Sequence, residues 1–168
     1  MKKNPTLDMY DYNVWANKEM INRIKSLPKD LYHHDINVGF SSVSEVLSHI
    51  YLVEQTWFDI MKGQTMNAAM TTANQLKEQF EAKEIEEIEA LYDDLSLKHR
   101  AFLVDQEDRD QGVLVDNPYA GPLETSIYES VLHVVTHGSY HRGNIATKIR
   151  QQGHPSVMQD YGLYLYKR

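Results

Sequence analysis

His49, in the run SEVLSHIYLVEQTWFDI, and the pair His137 and His141, in HVVTHGSYHRGN, are the residues of this chain best suited to chemistry. Two imidazoles four residues apart on a helix project from one side, about 6 Å apart along its axis, so both can reach one ion while a third arrives from another helix. Three imidazoles around an ion leave a coordination position open, which a catalytic metal needs and a structural metal usually lacks. One divalent ion per chain is expected. Zinc or nickel suits such donors better than magnesium or calcium, which prefer oxygen.

The last helix offers a third histidine, His133, four residues before His137. The Cα atoms of His133, His137 and His141 span about 12 Å of helix, too far for all three to grip one ion. On a wheel of about 100° per residue, Ile127, Val131, Val134, Val135, Ile145 and Ile149 define the apolar face. His141 lies nearest its centre, His137 at its margin and His133 farthest out. In the earlier helix His49 sits at one margin of the stripe Val46, Ile50, Val53, Trp57 and Ile60. The same pattern also fits hydrogen-bonded boundary histidines that hold no ion. His99, on the apolar stripe of a third helix, reads as a satisfied core histidine or a fourth ligand, and His33, His34 and His154 as loop residues without partners. The wheel puts Arg142 near the apolar side, where a guanidinium needs a carboxylate or must reach out to water. A solvated arginine at a fraying bundle edge is the leading reading, with Glu54 the candidate partner should it turn inward.

Composition narrows the chemistry. The chain has no cysteine, so it forms no disulfide, offers no thiolate ligand and has no thiol nucleophile of its own; thiol chemistry here would use an external thiol. A formal charge of −7 without a Lys/Arg cluster disfavours nucleic acid. No apolar run approaches the roughly 20 residues of a membrane helix, and the start MKKNPTLDMY lacks an apolar signal region. These features predict a cytoplasmic protein without a membrane partner. The length, 168 residues with 42% hydrophobic, suits one domain over 1–168.

The elements that must hold these histidines are helical. Tyr10, Val14, Ile21 and Ile24 predict a first helix over 8–27, ended by Pro28. A second runs from a cap at Ser42, with Glu45 three residues on, to Gly63. Residues 66–82 read as a polar connection holding some helix. Ile85, Ile88, Tyr92, Leu95 and Phe102 predict a third helix over 83–104, fraying into DQEDRD. GVLVDNPYAGPLETSIY reads as a short extended segment and turn, followed by a last helix over 123–152 capped by Gly153. Four long amphipathic segments without strand alternation predict an all-α fold, a four-helix bundle with metal-binding side chains on facing helices.

YNVWAN in the first helix, His49 with Trp57 after it, HVVTHGSYHRGN in the last helix and QDYGLYLY in the tail resemble the DinB/YfiT-like family. The likeness extends over most of the chain. The resemblance implies an up-down-down-up bundle, a homodimer, and one divalent metal held by His49, His137 and His141. Some relatives are thiol-dependent S-transferases or isomerases, and others have no established reaction. The family's name refers to induction by DNA damage and does not imply DNA binding.

The leading expectation is therefore an enzyme whose divalent ion deprotonates an incoming small-molecule thiol, which attacks a small electrophile. A hydrolase using metal-activated water is the close competitor, although HGSYH lacks the glutamate of the HExxH pattern. A metal-binding stress-response module without turnover and a bundle with incidental histidines are the alternatives from other classes. Tyr140 adjoins the ligand pair, turned more than a quarter turn away from it. No catalytic residue beyond the ligands is assigned. A homodimer is expected, and Tyr161, Tyr164 and Tyr166 in the tail read either as its interface or as a cover for the monomer's own bundle.

Overall fold

The computed structural model describes residues 4–36, 39–106 and 111–168. Helix α1 spans Pro5–Lys25, α2 Val43–Met61, α3 Met66–Glu81, α4 Ile85–Asp105 and α5 Ile127–Gln151, with a short α6 at Tyr161–Leu165. Strands β1 (Gly112–Asn117) and β2 (Gly121–Ser126) form an antiparallel hairpin before α5. Helices α1, α2, α4 and α5 make the bundle. Tyr12 meets Ser139 and Arg23 meets Pro155, so α5 runs along α1 in the same direction. Arg100 reaches Asp11 and Lys25 reaches Glu89, so α4 runs opposite to α1. Trp57 meets His133 and His49 meets His137, making α2 antiparallel to α5. The order is up-down-down-up.

Parallel α2 and α4 require a return stroke of about a helix length, because at 1.5 Å per residue the chain must recross the bundle. Helix α3 is that stroke. The polar connection expected at 66–82 is thus a continuous helix, capped by Thr65, whose hydroxyl accepts from the amide of Ala68. Its inward stripe is Met66, Ala69, Ala73, Leu76 and Phe80, with Phe80 stacked on Tyr51 of α2 at 5.2 Å. Small alanines in mid-helix weaken the periodic signal.

The caps explain the other boundaries. Asn4 caps α1 and Pro5 occupies its first turn, where a missing N–H costs nothing, so the helix starts earlier than residue 8. Ser42 accepts from the amide of Glu45 as expected, while the Glu45 carboxylate turns back to Ser41. Helix α5 begins at Ile127, four residues after the expected start, because Ser126 and Glu129 form a reciprocal capping box and 121–126 pairs with β1. Asn117 accepts from the amides of Tyr119 and Ala120 to make the hairpin turn. Val113 and Val115 of β1 face the core. The expected fraying into DQEDRD lies largely outside the described residues. Among the described residues, no helix is long and apolar enough to cross a membrane.

The core is apolar at both ends and polar in the middle. Met20, Ile24, Leu47, Ile50, Ile88, Leu95, Ile145 and Ile149 fill one end, and Tyr10, Ala16, Ile60, Leu103, Ile127 and Val131 the other. Between them lie Glu54, Asn13, Asn17, His99 and Arg142, all buried.

Candidate metal centre

The antiparallel pairing of α2 and α5 places one margin of each apolar stripe side by side, and His49 faces His137 and His141 there. The Nε2 atoms of His49 and His137 are 3.1 Å apart. Ring centroids are 4.5 Å apart for His49 and His141 and 4.4 Å for His137 and His141. One nitrogen from each ring lies within 4.8 Å of the other two. A tetrahedral zinc with bonds of 2.0–2.1 Å sets its donors roughly 3.3 Å apart, so the trio matches a small transition ion without large movement. Among the described residues no carboxylate joins this group.

Burial favours the neutral form of each ring, the form in which an imidazole can bind an ion. Burial, reinforced by the neighbouring His141, lowers the His49 pKa to about 4, and burial with the other histidines lowers that of His137 to about 3. Burial also lowers His141, which is 9% exposed. Asn144 lies one turn on, with Nδ2 3.4 Å from His141 Nδ1, and restricts that ring's rotation. Phe40, just before α2, packs against both His49 and His141, with centroids at 5.0 and 5.5 Å. Nothing in the helical periodicity marks Phe40, because it precedes the periodic segment.

His133 stands outside the trio. Its ring packs on Trp57 at 4.4 Å and lies 5.9 Å from His137, as its position farthest from the apolar centre implies. His99 is also apart from it. Fully buried, it sits 4.1 Å from the Tyr10 ring and 4.7 Å from Phe58, and its Nδ1 is 3.9 Å from Glu54. It is a core histidine, yet neither ring nitrogen has a hydrogen-bond partner, so "satisfied" is corrected. His33 is corrected too, since its Nδ1 bonds Ser44 and its Nε2 approaches Glu84 at 3.9 Å.

Arg142 is fully buried, which overturns the expected solvated arginine at the bundle edge. Its Nη1 donates to Asn13 at 2.9 Å and to Asn17 at 2.7 Å, and Nη2 to Ser139 at 3.3 Å. Glu54 is its electrostatic partner through Asn13. Asn13 Nδ2 and the Tyr10 hydroxyl donate to the two Glu54 oxygens, at 3.0 and 2.7 Å. Burial raises the Glu54 pKa, and these donors and Arg142 counter it. The network ties α2 to α5 through α1, and those two helices carry the three histidines. Asn13 and Asn17 are four apart in YNVWAN, a buried-polar signal present in the sequence. Gly138 makes room for it, because a Cβ there would stand 2.8 Å from both Arg142 Nη1 and Asn13 Oδ1.

Two openings flank the trio. A groove of about 270 Å³ between α2 and α3 has His49 in its wall, and a cavity of about 330 Å³ has His141, Phe40, Tyr140 and Asn144 in its wall. Tyr140 is largely exposed but its ring meets that of His141 edge-on at 4.9 Å, so it stands at the rim despite its turn along the helix.

The model of the family described as "DinB family" matches residues 1–168. The chain belongs to the DinB family. It is 48% identical over 158 residues to Protein DinB of Bacillus subtilis (strain 168), which covers 94% of this chain and 92% of that protein. The crystal structure of a DinB-like protein from Bacillus cereus ATCC 10987 has the same fold, with a TM-score of 0.64 at 15% identity, covering 91% of this chain and 95% of that one. DinB membership and the up-down-down-up bundle agree with the residues that first suggested them.

Proposed function

We propose that His49, His137 and His141 hold one divalent transition ion, zinc or nickel, and that this DinB protein transfers a group from a small electrophile to the sulfur of an external thiol. The observation that supports this most is the convergence of three uncharged imidazoles within 4.8 Å, in a group that contains no carboxylate. The ion, when bound, would supply the Lewis acidity that makes a thiol nucleophilic near neutral pH. The histidines hold it, Asn144 and Phe40 fix the rings, and the absence of cysteine leaves the sulfur to the substrate.

In balance, an S–C bond forms as a C–X bond breaks; X leaves with the bonding pair, and the thiol proton goes to solvent. Water attack would profit from a nearby base. The buried carboxylate Glu54 is engaged by Tyr10 and Asn13 elsewhere in the bundle. A second copy of the chain is the macromolecular partner we propose, and neither nucleic acid nor membrane is one.

The test is turnover of bacterial-type thiols with halogenated or epoxide electrophiles, by metal-loaded and chelated protein. Thiol consumption that needs the metal and is lost in His49→Ala is expected. Thiol-independent hydrolysis of an ester or amide by the loaded protein would replace this reading with a hydrolase. Metal binding without any turnover would leave a binding module.

A further inference from the structure

We infer that the groove between α2 and α3 seats the non-reacting part of the electrophile, and that this part is a small apolar alkyl or aryl body. The inference rests on the three histidines being the reacting centre. His49 belongs both to the trio and to the groove wall, whereas His137 and His141 do not line the groove, so a molecule lying in it has one end against the His49 ring. Beyond His49 the groove is bordered by Leu52, Val53 and Trp57 of α2 and by Met66, Met70 and Ala73 of α3. Thr56 also borders it, but its hydroxyl donates to the Leu52 carbonyl of its own helix at 2.7 Å. The charged residues of the groove, Lys77 and Glu81, lie 3.8 Å apart and offset each other.

The groove follows from how α3 is held. At its start the Met66 amide donates to Asp116 at 2.7 Å, and near its end Phe80 stacks on Tyr51. Between these anchors Ala73 faces the groove, too short to fill the space to α2. The volume, about 270 Å³, is below the roughly 300–1,000 Å³ of pockets for drug-sized ligands, so the body it takes is small. Two methionines in the lining are flexible and polarizable, and accommodate bodies of differing shape. The cavity on the His141 side, with Tyr140, Asn144 and Gln151, offers hydrogen bonds instead. An apolar substrate is therefore matched to the His49 side and a polar one to the other.

The groove contains Trp57, which provides a readout that needs neither metal nor turnover. In a Trp15→Phe background Trp57 is the sole tryptophan, and its emission is followed while hexan-1-ol is titrated. A saturable change is expected, with the half-saturation concentration raised about tenfold in Ala73→Phe, equivalent to ~1.4 kcal/mol. Ala73→Leu, which adds less bulk to α3, should give a smaller rise, and far-ultraviolet circular dichroism checks that both variants keep their helices. In turnover, hexan-1-ol should compete with the electrophile and not with the thiol. A non-saturable change, an equal response in the Ala73 variants, or competition against the thiol alone would overturn the inference. If the protein binds no metal or consumes no thiol, the transferase reading fails, while the titration still reports on the groove separately.

Discussion

Gly138 and Arg142 lie one turn apart on α5, and the guanidinium of Arg142 occupies the space a Gly138 side chain would need. A Cβ there would stand 2.8 Å from Nη1 and equally close to Asn13 Oδ1. Both atoms are buried and committed, Nη1 to Asn13 and Asn17 and Oδ1 to Nη1, so neither can swing away without breaking a hydrogen bond.

Gly138→Ala should therefore destabilise the protein, although alanine is the better helix former. Overpacking of a tight core costs about 1–3 kcal/mol, and each kcal/mol lowers Tm by about 2–4 °C for a protein of this size. Denaturant unfolding followed by circular dichroism measures it. Gly143→Ala is the control, because a Cβ on Gly143 meets nothing within 4 Å. Equal or higher stability of Gly138→Ala would show that the Arg142 network is loosely held.

The metal assignment separates two histidines of one helix. His141→Ala should abolish stoichiometric zinc or nickel binding. His133→Ala should retain it, since His133 packs on Trp57 outside the trio. Elemental analysis of protein purified without a histidine tag reads both. Identical metal content in the two variants would remove the assignment.

These sites differ in how visible they are in the sequence. The pair His137 and His141 is legible because i,i+4 spacing and a helix wheel specify both direction and depth, ranking His141, His137 and His133 in the order of their burial, whereas His49 is singled out by the family resemblance. The Arg142 network is legible only in part. A wheel gives the face of Arg142 but not its distance from water, and the deciding asparagines lie on α1, about 125 residues away in sequence. Helix α3 is obscured for another reason. It packs one narrow stripe against α2 and exposes the rest, so alanines and polar residues dominate its composition. The tail tyrosines carry the least information. Tyr161 and Tyr164 cover their own bundle against Tyr12, whereas Tyr166 is 91% exposed.

That contrast sharpens the expectation for assembly. If the proposed homodimer uses the tail, Tyr166 and the exposed Leu165 carry the contact, and Tyr161 and Tyr164 serve the monomer. Sedimentation equilibrium at micromolar concentration should show a dimer, weakened in Tyr166→Ser with the monomer's thermal stability unchanged. A monomer in the unmodified protein refutes the dimer, and an unaffected dimer in the variant moves the interface away from the tail.

His99 makes stability depend on pH. Burial lowers its pKa from 6.5 to about 3. Between those values the unfolded chain binds a proton that the folded chain does not, so His99's contribution is fully present above pH 6.5 and lost as pH falls toward 3. The slope from one such group is at most about 1.4 kcal/mol per pH unit. Glu54, 3.9 Å away, acts in the opposite sense, because its raised pKa gives the folded chain the extra proton just above the ordinary carboxylate range. A comparison between two proteins that both keep Glu54 removes most of its effect. His99→Phe retains the ring packing on Tyr10 and Phe58 but cannot titrate. Urea unfolding between pH 7 and 4.5 should then show the unmodified protein losing stability more steeply on acidification than His99→Phe. Parallel pH profiles would mean that His99 gains its proton in the folded state, with Glu54 as the counter-charge.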